Sequence, residues 1–446
     1  MLVDSLREAA RRRSAEHDMR TLAAECEHLL SQRGEASSTQ IARQIVERLQ
    51  DLLAEPGRKD GARSAALDSF FAHLADNFSP EPMAVLASAQ AYAAQPDAAH
   101  LIALIEQAEP RRQELFRRIN RAPGGTAALI GLRRALLERL PKKPEWRALE
   151  ADLLHLLSSW FNPGFLEMRQ VSWRSPAQLL EQIIRHEAVH EIDGWDDLRR
   201  RLLPDRRCFA FFHPQLPEEP LIFVEVALLP EMAAAIPPLI DKKAQPLSPE
   251  SFKVAVFYSI SNCQPGLRGV SLGNFLIKRV AEELKTELPR LKTFCTLSPI
   301  PGFMAWLLAT CDAVSLPGMK PALAQRMVQA REALQEACGG DLASLAQTAT
   351  HATLPKPAQQ ALLQMATLYL VHQSPQPGGD PVARFHLDNG ARLERLNLQG
   401  NPSAKGLKQS AGLMVNYLYD LANIDACHDR FVHGEVAHSR AVSRLL

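Results

Sequence analysis

Between Ile41 and Leu53 the apolar residues fall at Ile41, Ile45, Val46, Leu49, Leu52 and Leu53. That is one face of a 3.6-residue period, and it predicts an amphipathic helix. Ser38 and Thr39 offer an N-cap oxygen before it, and Pro56-Gly57 stops it. The pattern returns at Leu149, Leu153, Leu156, Leu157 and Trp160 and closes at Asn162-Pro163-Gly164. Pro80-Glu81-Pro82, Pro96, Pro123-Gly124-Gly125 and Pro141 cut the intervening chain into helix-length pieces. Strand-like alternation is absent before about residue 205, so the first third predicts an all-helical bundle. No segment recurs at a fixed period, which argues against a solenoid.

The texture then changes. Ser175-Pro176-Ala177-Gln178 reads as a helix start, and the domain boundary is placed near residue 170, giving domains 1–170 and 171–446. LIFVEVAL (221–228) and KVAVFYSI (253–260) are β-rich apolar runs of the kind that form buried strands. A glycine-containing loop follows the second run. Next come a helix from about Leu272 to Leu288, with Leu276, Val280 and Leu284 a turn apart, and a strand over Lys292 to Leu297. This strand–helix–strand order predicts a βαβ unit with parallel neighbours. Residues 319–373 return to helix, Ala383 to Asn397 reads as a hairpin turning at Asp388-Asn389-Gly390, and Ser403 to Leu421 reads as a helix. The expected fold class is α+β, a helical bundle domain followed by a mixed α/β domain.

Composition narrows the function classes. The 446 residues carry 51 Lys plus Arg against 50 Asp plus Glu, a net charge of 51 − 50 = +1. That balance lacks the positive field of a general nucleic-acid binder. The longest apolar candidate for a membrane span, Leu221 to Leu229, is short and contains Glu225, so no membrane partner is expected. Cysteines at 26, 208, 263, 295, 311, 338 and 427 are scattered without a CxxC pair, which fits reduced thiols and a cytoplasmic location. The N-terminal MLVDSLREAARRR has no apolar signal stretch, and Arg444-Leu445-Leu446 is not a peroxisomal address.

Candidate chemistry collects at five places. His186-Glu187-Ala188-Val189-His190 spells HExxH, which on a helix would turn two imidazoles to one side of a zinc ion. The metzincin continuation is missing, since Asp193 and Asp196 stand where Gly and His would be required, so no metal is expected. The turn Gln264-Pro265-Gly266-Leu267-Arg268-Gly269-Val270-Ser271-Leu272-Gly273-Asn274 leaves a strand and enters a helix, where free N–H groups and the helix dipole favour an anion. It is neither a Walker loop nor a Rossmann fingerprint, and its spacing fits a plain βα connection equally well. Ser298 ends a strand before Pro299-Ile300-Pro301-Gly302, a rigid turn that fixes its hydroxyl or lets it cap the helix from Phe303. Alternation puts Arg384, His386 and Asp388 on the polar face of a strand. Tyr417 and Tyr419 fall on the predicted last helix, where core packing is their ordinary use.

Four of these segments together resemble one family. FKVAVFYSISNCQPGLRGVSLGNFLIKRV (252–280), TFCTLSPIPGF (293–303), ARFHLDNGARLERLN (383–397) and SAGLMVNYLY (410–419) are similar to malonyl-CoA decarboxylases, in the same order. Residues 173–212, with EAVH, WDDLRRRL and RRCFAFF, add to the likeness, and His186 stands where the family is expected to have a tyrosine. The resemblance implies a helical domain that makes a homo-oligomer and a GNAT-like domain that binds coenzyme A. It implies a phosphate loop of Arg268, Gly269, Val270, Ser271, Leu272, Gly273 and Asn274, with Ser271 where acetyltransferases of that fold carry glycine. It further implies an active-site serine at Ser298, a proton-donating histidine at His386, both also contacting substrate, and a supporting tyrosine at Tyr419. The implied activity converts malonyl-CoA to acetyl-CoA and CO2 without a cofactor, because the thioester itself takes the electrons. The competing expectation is a GNAT-type acyltransferase that uses the same coenzyme A pocket for an amine.

Overall fold

A computed structural model of the chain describes residues 2–54, 61–270, 272, 276–309 and 321–446. Two compact units emerge, Met1–Glu167 with Phe212–Glu219 and Gln264–Leu272, and Met168–Phe211 with Pro220–Cys263 and Gly273–Leu446.

The first unit is helical: α1 (Leu2–Ser31), α2 (Glu35–Leu53), α3 (Gly61–Asn77), α4 (Pro82–Ala94), α5 (Ala98–Ala108), α6 (Arg111–Asn120), α7 (Gly125–Arg139) and α8 (Arg147–Trp160). The Ile41–Ile45–Leu49 stripe of α2, Phe70 and Phe71 of α3, Leu115 and Phe116 of α6, and Leu129 and Leu136 of α7 share one core. Each stripe faces inward at helical spacing, so burial of these side chains, about 1.5–3 kcal/mol apiece, holds the bundle. The α4–α5 pair differs, because neither helix buries a residue.

In the second unit the strands are β1 (Glu167–Val171), β2 (Arg206–Phe212), β3 (Ile222–Leu229), β4 (Val254–Asn262), β5 (Thr293–Thr296), β6 (Ser298–Pro299), β7 (Arg392–Asn397) and β8 (Met414–Leu418). They form one sheet in the order β1-β2-β3-β4-β5-β8-β6, with β7 on β8. The connecting helices are α9 (Ala177–His186), α10 (Gly194–Arg201), α11 (Pro237–Ile240), α12 (Leu276–Glu287), α13 (Phe303–Ala309), α14 (Pro321–Ala337), α15 (Thr348–Thr353), α16 (Lys356–Leu368), α17 (Pro381–Asp388), α18 (Ala404–Ser410), α19 (Ile424–Val432) and α20 (Arg440–Ser443). The expected parallel pair is present, with β4 beside β5 and Val256 opposite Cys295. The helical-then-mixed fold class read from the sequence is the fold observed.

Three local expectations fail for identifiable reasons. Strand β1 lies before residue 205, and its largely exposed residues give it no apolar alternation to read. The 383–397 segment is a helix followed by a strand. Asp380 accepts the Val382 and Ala383 N–H groups and Pro381 opens α17, while Gly390, at φ 75°, ends it where a hairpin was expected. A Cβ at Gly390 would come within 2.3 Å of the Ile424 carbonyl oxygen, so only glycine fits that stop. The 403–421 segment breaks at Ala411 and Gly412, both left-handed at φ 52° and 72°, and its apolar half becomes β8. Tyr417 therefore sits on a strand, and Tyr419 just past its end, with its N–H on the Phe294 carbonyl at 2.8 Å.

Candidate active site

Ser298 pairs with Val415 where short β6 meets β8, two residues after Thr296 of β5. Its hydroxyl donates to Thr296 Oγ1 at 2.9 Å, and the same Thr296 oxygen accepts the Tyr417 N–H at 3.2 Å. His386, buried on α17, brings Nε2 to 2.9 Å from Ser298 Oγ and Nδ1 to 2.9 Å from the Tyr419 hydroxyl. Ser298, His386 and Tyr419, separated by 88 and 33 positions in sequence, thus form one continuous relay.

Donor counting assigns the imidazole's proton. Ser298 spends its only hydrogen on Thr296, so it accepts from His386, which places the ring hydrogen on Nε2. Nδ1 then accepts from the Tyr419 hydroxyl. The Tyr417 ring stacks on the imidazole, with centroids 4.7 Å apart and planes at 28°. Burial disfavours charge throughout: it pushes His386 down to about 3 and the Tyr419 phenol well above its ordinary value. At neutral pH the site therefore holds a neutral imidazole with a committed Nε2–H. His386 was expected on the polar face of a strand; it is instead a 3%-exposed helical residue.

Asp380 joins the two chain segments that meet here. Its Oδ1 accepts the Val382 and Ala383 N–H groups, each at 3.0 Å, and so caps the helix bearing His386. Its Oδ2 accepts the Gly302 N–H at 2.9 Å, four residues beyond Ser298, and the Tyr369 hydroxyl at 3.4 Å. Gly302 is required at that spot, because a Cβ would approach the Tyr369 hydroxyl oxygen to 2.2 Å. Sequence reading missed Thr296, Tyr369 and Asp380. The Asp380-Pro381 pair carries a cap-then-Pro helix signal that could have revealed the last of them.

Of the expected phosphate-loop residues, Ser271, Gly273 and Asn274 lie outside the described residues. Arg268 and Gly269 are exposed, whereas Val270 and Leu272 are buried. The turn Pro265–Leu267 and the bonds Leu267 N–H to Gln264 O and Val270 N–H to Leu267 O occupy the loop's own first donors. Gly269, exposed between these bonded positions, stands at φ 83°.

The HExxH segment is built differently from a zinc site. Helix α9 ends at His186, so the two histidines do not share a helical face. Both oxygens of Glu187 are engaged: Oε1 takes the Val189 and His190 N–H groups at 2.8 and 2.7 Å, and the Ser259 hydroxyl bonds the carboxylate. Ser261 adds a further bond at 3.2 Å. The glutamate ties a loop to β4.

Comparison with known proteins is consistent along the chain. A family model described as malonyl-CoA decarboxylase C-terminal domain matches residues 164–446, and one described as malonyl-CoA decarboxylase N-terminal domain matches 78–161. The goose (Anser anser anser) mitochondrial malonyl-CoA decarboxylase is 37% identical over 359 residues, covering 76% of this chain and 69% of that protein. The mouse (Mus musculus) mitochondrial enzyme is 39% identical over 326 residues, covering 70% of this chain and 66% of that protein. The chain thus spans about two thirds of these relatives' length. Crystal structures of malonyl-CoA decarboxylases from Rhodopseudomonas palustris and Agrobacterium vitis are each 44% identical, with TM-scores of 0.81 and 0.78. They align with 96% and 95% of this chain, and with 99% of each of those chains.

Proposed function

The chain belongs to the malonyl-CoA decarboxylase family, and from that premise we propose that it converts malonyl-CoA to acetyl-CoA and CO2 at the Ser298–His386–Tyr419 relay. In this reaction the bond between the α-carbon and the carboxylate breaks. Its electron pair enters the thioester as an enolate, CO2 leaves, and the α-carbon takes one proton. The protein's task is to stabilise the enolate oxygen, to hold the breaking bond perpendicular to the thioester plane, and to deliver that proton. The observation that carries the reading is the buried imidazole with an assigned Nε2–H, hydrogen-bonded at both nitrogens.

A neutral imidazole polarises a thioester oxygen through Nε2–H without demanding a counter-ion in a dry site. It can also give Nε2–H to the α-carbon of a thioester enolate while Nδ1 takes the Tyr419 hydroxyl proton, which the phenolate regains from water before the next turnover. His386 is assigned both steps, Ser298 accepts its Nε2–H hydrogen bond in the resting state and orients the incoming carboxylate, and Tyr419 holds the tautomer. Arg268 and the loop it opens, with the Gly269 N–H, are assigned to the coenzyme A phosphates. Incubating purified protein with malonyl-CoA, with free malonate as control, should release CO2 and acetyl-CoA in equal amounts from the thioester alone. Free thiol appearing only with an added amine would instead identify an acyltransferase.

The same reading includes self-association through the helical unit. Met83, Leu86, Ile102 and Ile105 of the α4–α5 pair are exposed, and an apolar face left open in this way suits a second copy of the chain. Among the described residues no helix is long and apolar enough to cross a membrane. The free thiols of Cys26, Cys208, Cys263 and Cys295 favour a reducing, cytoplasmic setting.

A further inference from the structure

The phosphate loop is held from behind by the helical unit. Gln264–Leu272 clusters with the helices, although in sequence it connects β4 to α12. Arg133 of α7, only 1% exposed, donates from Nη1 to the Gly266 carbonyl at 2.7 Å and from Nη2 to the Arg268 carbonyl at 2.8 Å. Two further donors go to Glu150 Oε1 of α8, at 3.2 Å from Nε and 2.6 Å from Nη2. Gly266 lies so close to α7 that a Cβ would meet the Ile130 carbonyl oxygen at 2.1 Å. Buried and committed in this way, Arg133 is unavailable to a phosphate.

We infer that Arg133 is a positioning residue for coenzyme A recognition, acting through the peptide between Arg268 and Gly269. In a trans peptide the carbonyl and N–H point in opposite directions. With the Arg268 carbonyl drawn inward onto a buried guanidinium, the Gly269 N–H is turned outward, beside the exposed Arg268 side chain. The φ of 83° at Gly269 is the backbone state that glycine adopts without a Cβ penalty. A planar fork spanning two carbonyls and a carboxylate is arginine chemistry, which a lysine point charge does not reproduce. Arg133 thereby gives helix α7 a part in substrate recognition. The inference rests on the reading of Arg268–Asn274 as the phosphate loop.

The test compares KM for malonyl-CoA with KM for malonyl-pantetheine, which keeps the reacting thioester and lacks the nucleotide phosphates. R268A tests the loop reading, and R133M tests the positioning role, with R133K as the second variant should R133M not fold. The expected result is a rise of about tenfold in the KM ratio for R133M or R133K, the size of one lost charge-assisted contact. If R268A moves the ratio while both Arg133 variants leave it unchanged, the positioning role is overturned and the loop reading stands. If R268A leaves it unchanged, the loop reading itself falls. If the Arg133 variants raise both KM values equally, Arg133 serves only the fold and the inference is wrong.

Discussion

Two buried histidines, 196 positions apart, show what burial does and what it leaves undone. Both His386 and His190 are pushed down to about 3, in each case chiefly by desolvation, with Arg201 and Lys405 adding to the effect at His190. At His386 each ring nitrogen meets a hydroxyl, and the donor count leaves a single tautomer. At His190 the ring centroid lies 6.5 Å from that of Tyr258, the Tyr258 backbone hydrogen-bonds the imidazole, and Nε2 is buried without a partner among the described residues, as are Tyr258 Oη and Glu225 Oε1. Low dielectric keeps an imidazole neutral, but only placed partners decide which nitrogen carries the proton. The shifted pKa is common to both sites. A defined Nε2–H belongs to His386.

The contrast breaks most visibly in turnover. H386N should lower kcat by about a thousandfold, within the range for loss of a positioned acid–base group, while the dissociation constant for coenzyme A stays within about threefold. H190N should change kcat by less than about threefold. Comparable losses of kcat in the two variants would erase the distinction drawn here.

A smaller effect sharpens it. D380N keeps an oxygen to cap α17 but loses the second acceptor that holds Gly302, loosening the distance between Ser298 and His386. About a tenfold fall in kcat with KM nearly unchanged is expected, roughly the cost of one buried hydrogen bond to a charged group. A change confined to KM would show that Asp380 does not serve the relay.

Acid stability should treat the two histidines alike. Each has a folded pKa of about 3, below the ordinary 6.5. Above 6.5 neither folded nor unfolded chain protonates the ring; below it the unfolded chain binds a proton that the native chain refuses. Stability therefore falls with falling pH by about 1.4 kcal/mol per unit for each such histidine until the native ring protonates. H386Q and H190Q should each remove about one proton from the pH dependence of unfolding between those limits. An unchanged slope in H386Q would mean that its ring is not held neutral by burial.

Much of the fold was legible because period and punctuation agree. The helical third and the β4–α12–β5 unit carry patterns with one structural solution. The C-terminal stretch did not, because Met414–Leu418 is a short run, apolar but for Asn416, that suits a helix or a central strand, and the Ala411–Gly412 break shows itself only in backbone angles. Ser298, His386 and Tyr419 were nominated by family resemblance; local pattern alone had put His386 on a solvated strand. Thr296 and Asp380 escaped notice because their function is relational: each matters through distances to residues far along the chain.

The most direct test is the 15N spectrum of the imidazole of His386, assigned by its loss in H386Q, recorded from pH 8 down to pH 5. A neutral ring protonated at Nε2 throughout is the predicted result. An imidazolium forming near pH 6.5, or a neutral ring carrying its hydrogen on Nδ1, would contradict the relay on which the proposed decarboxylation depends.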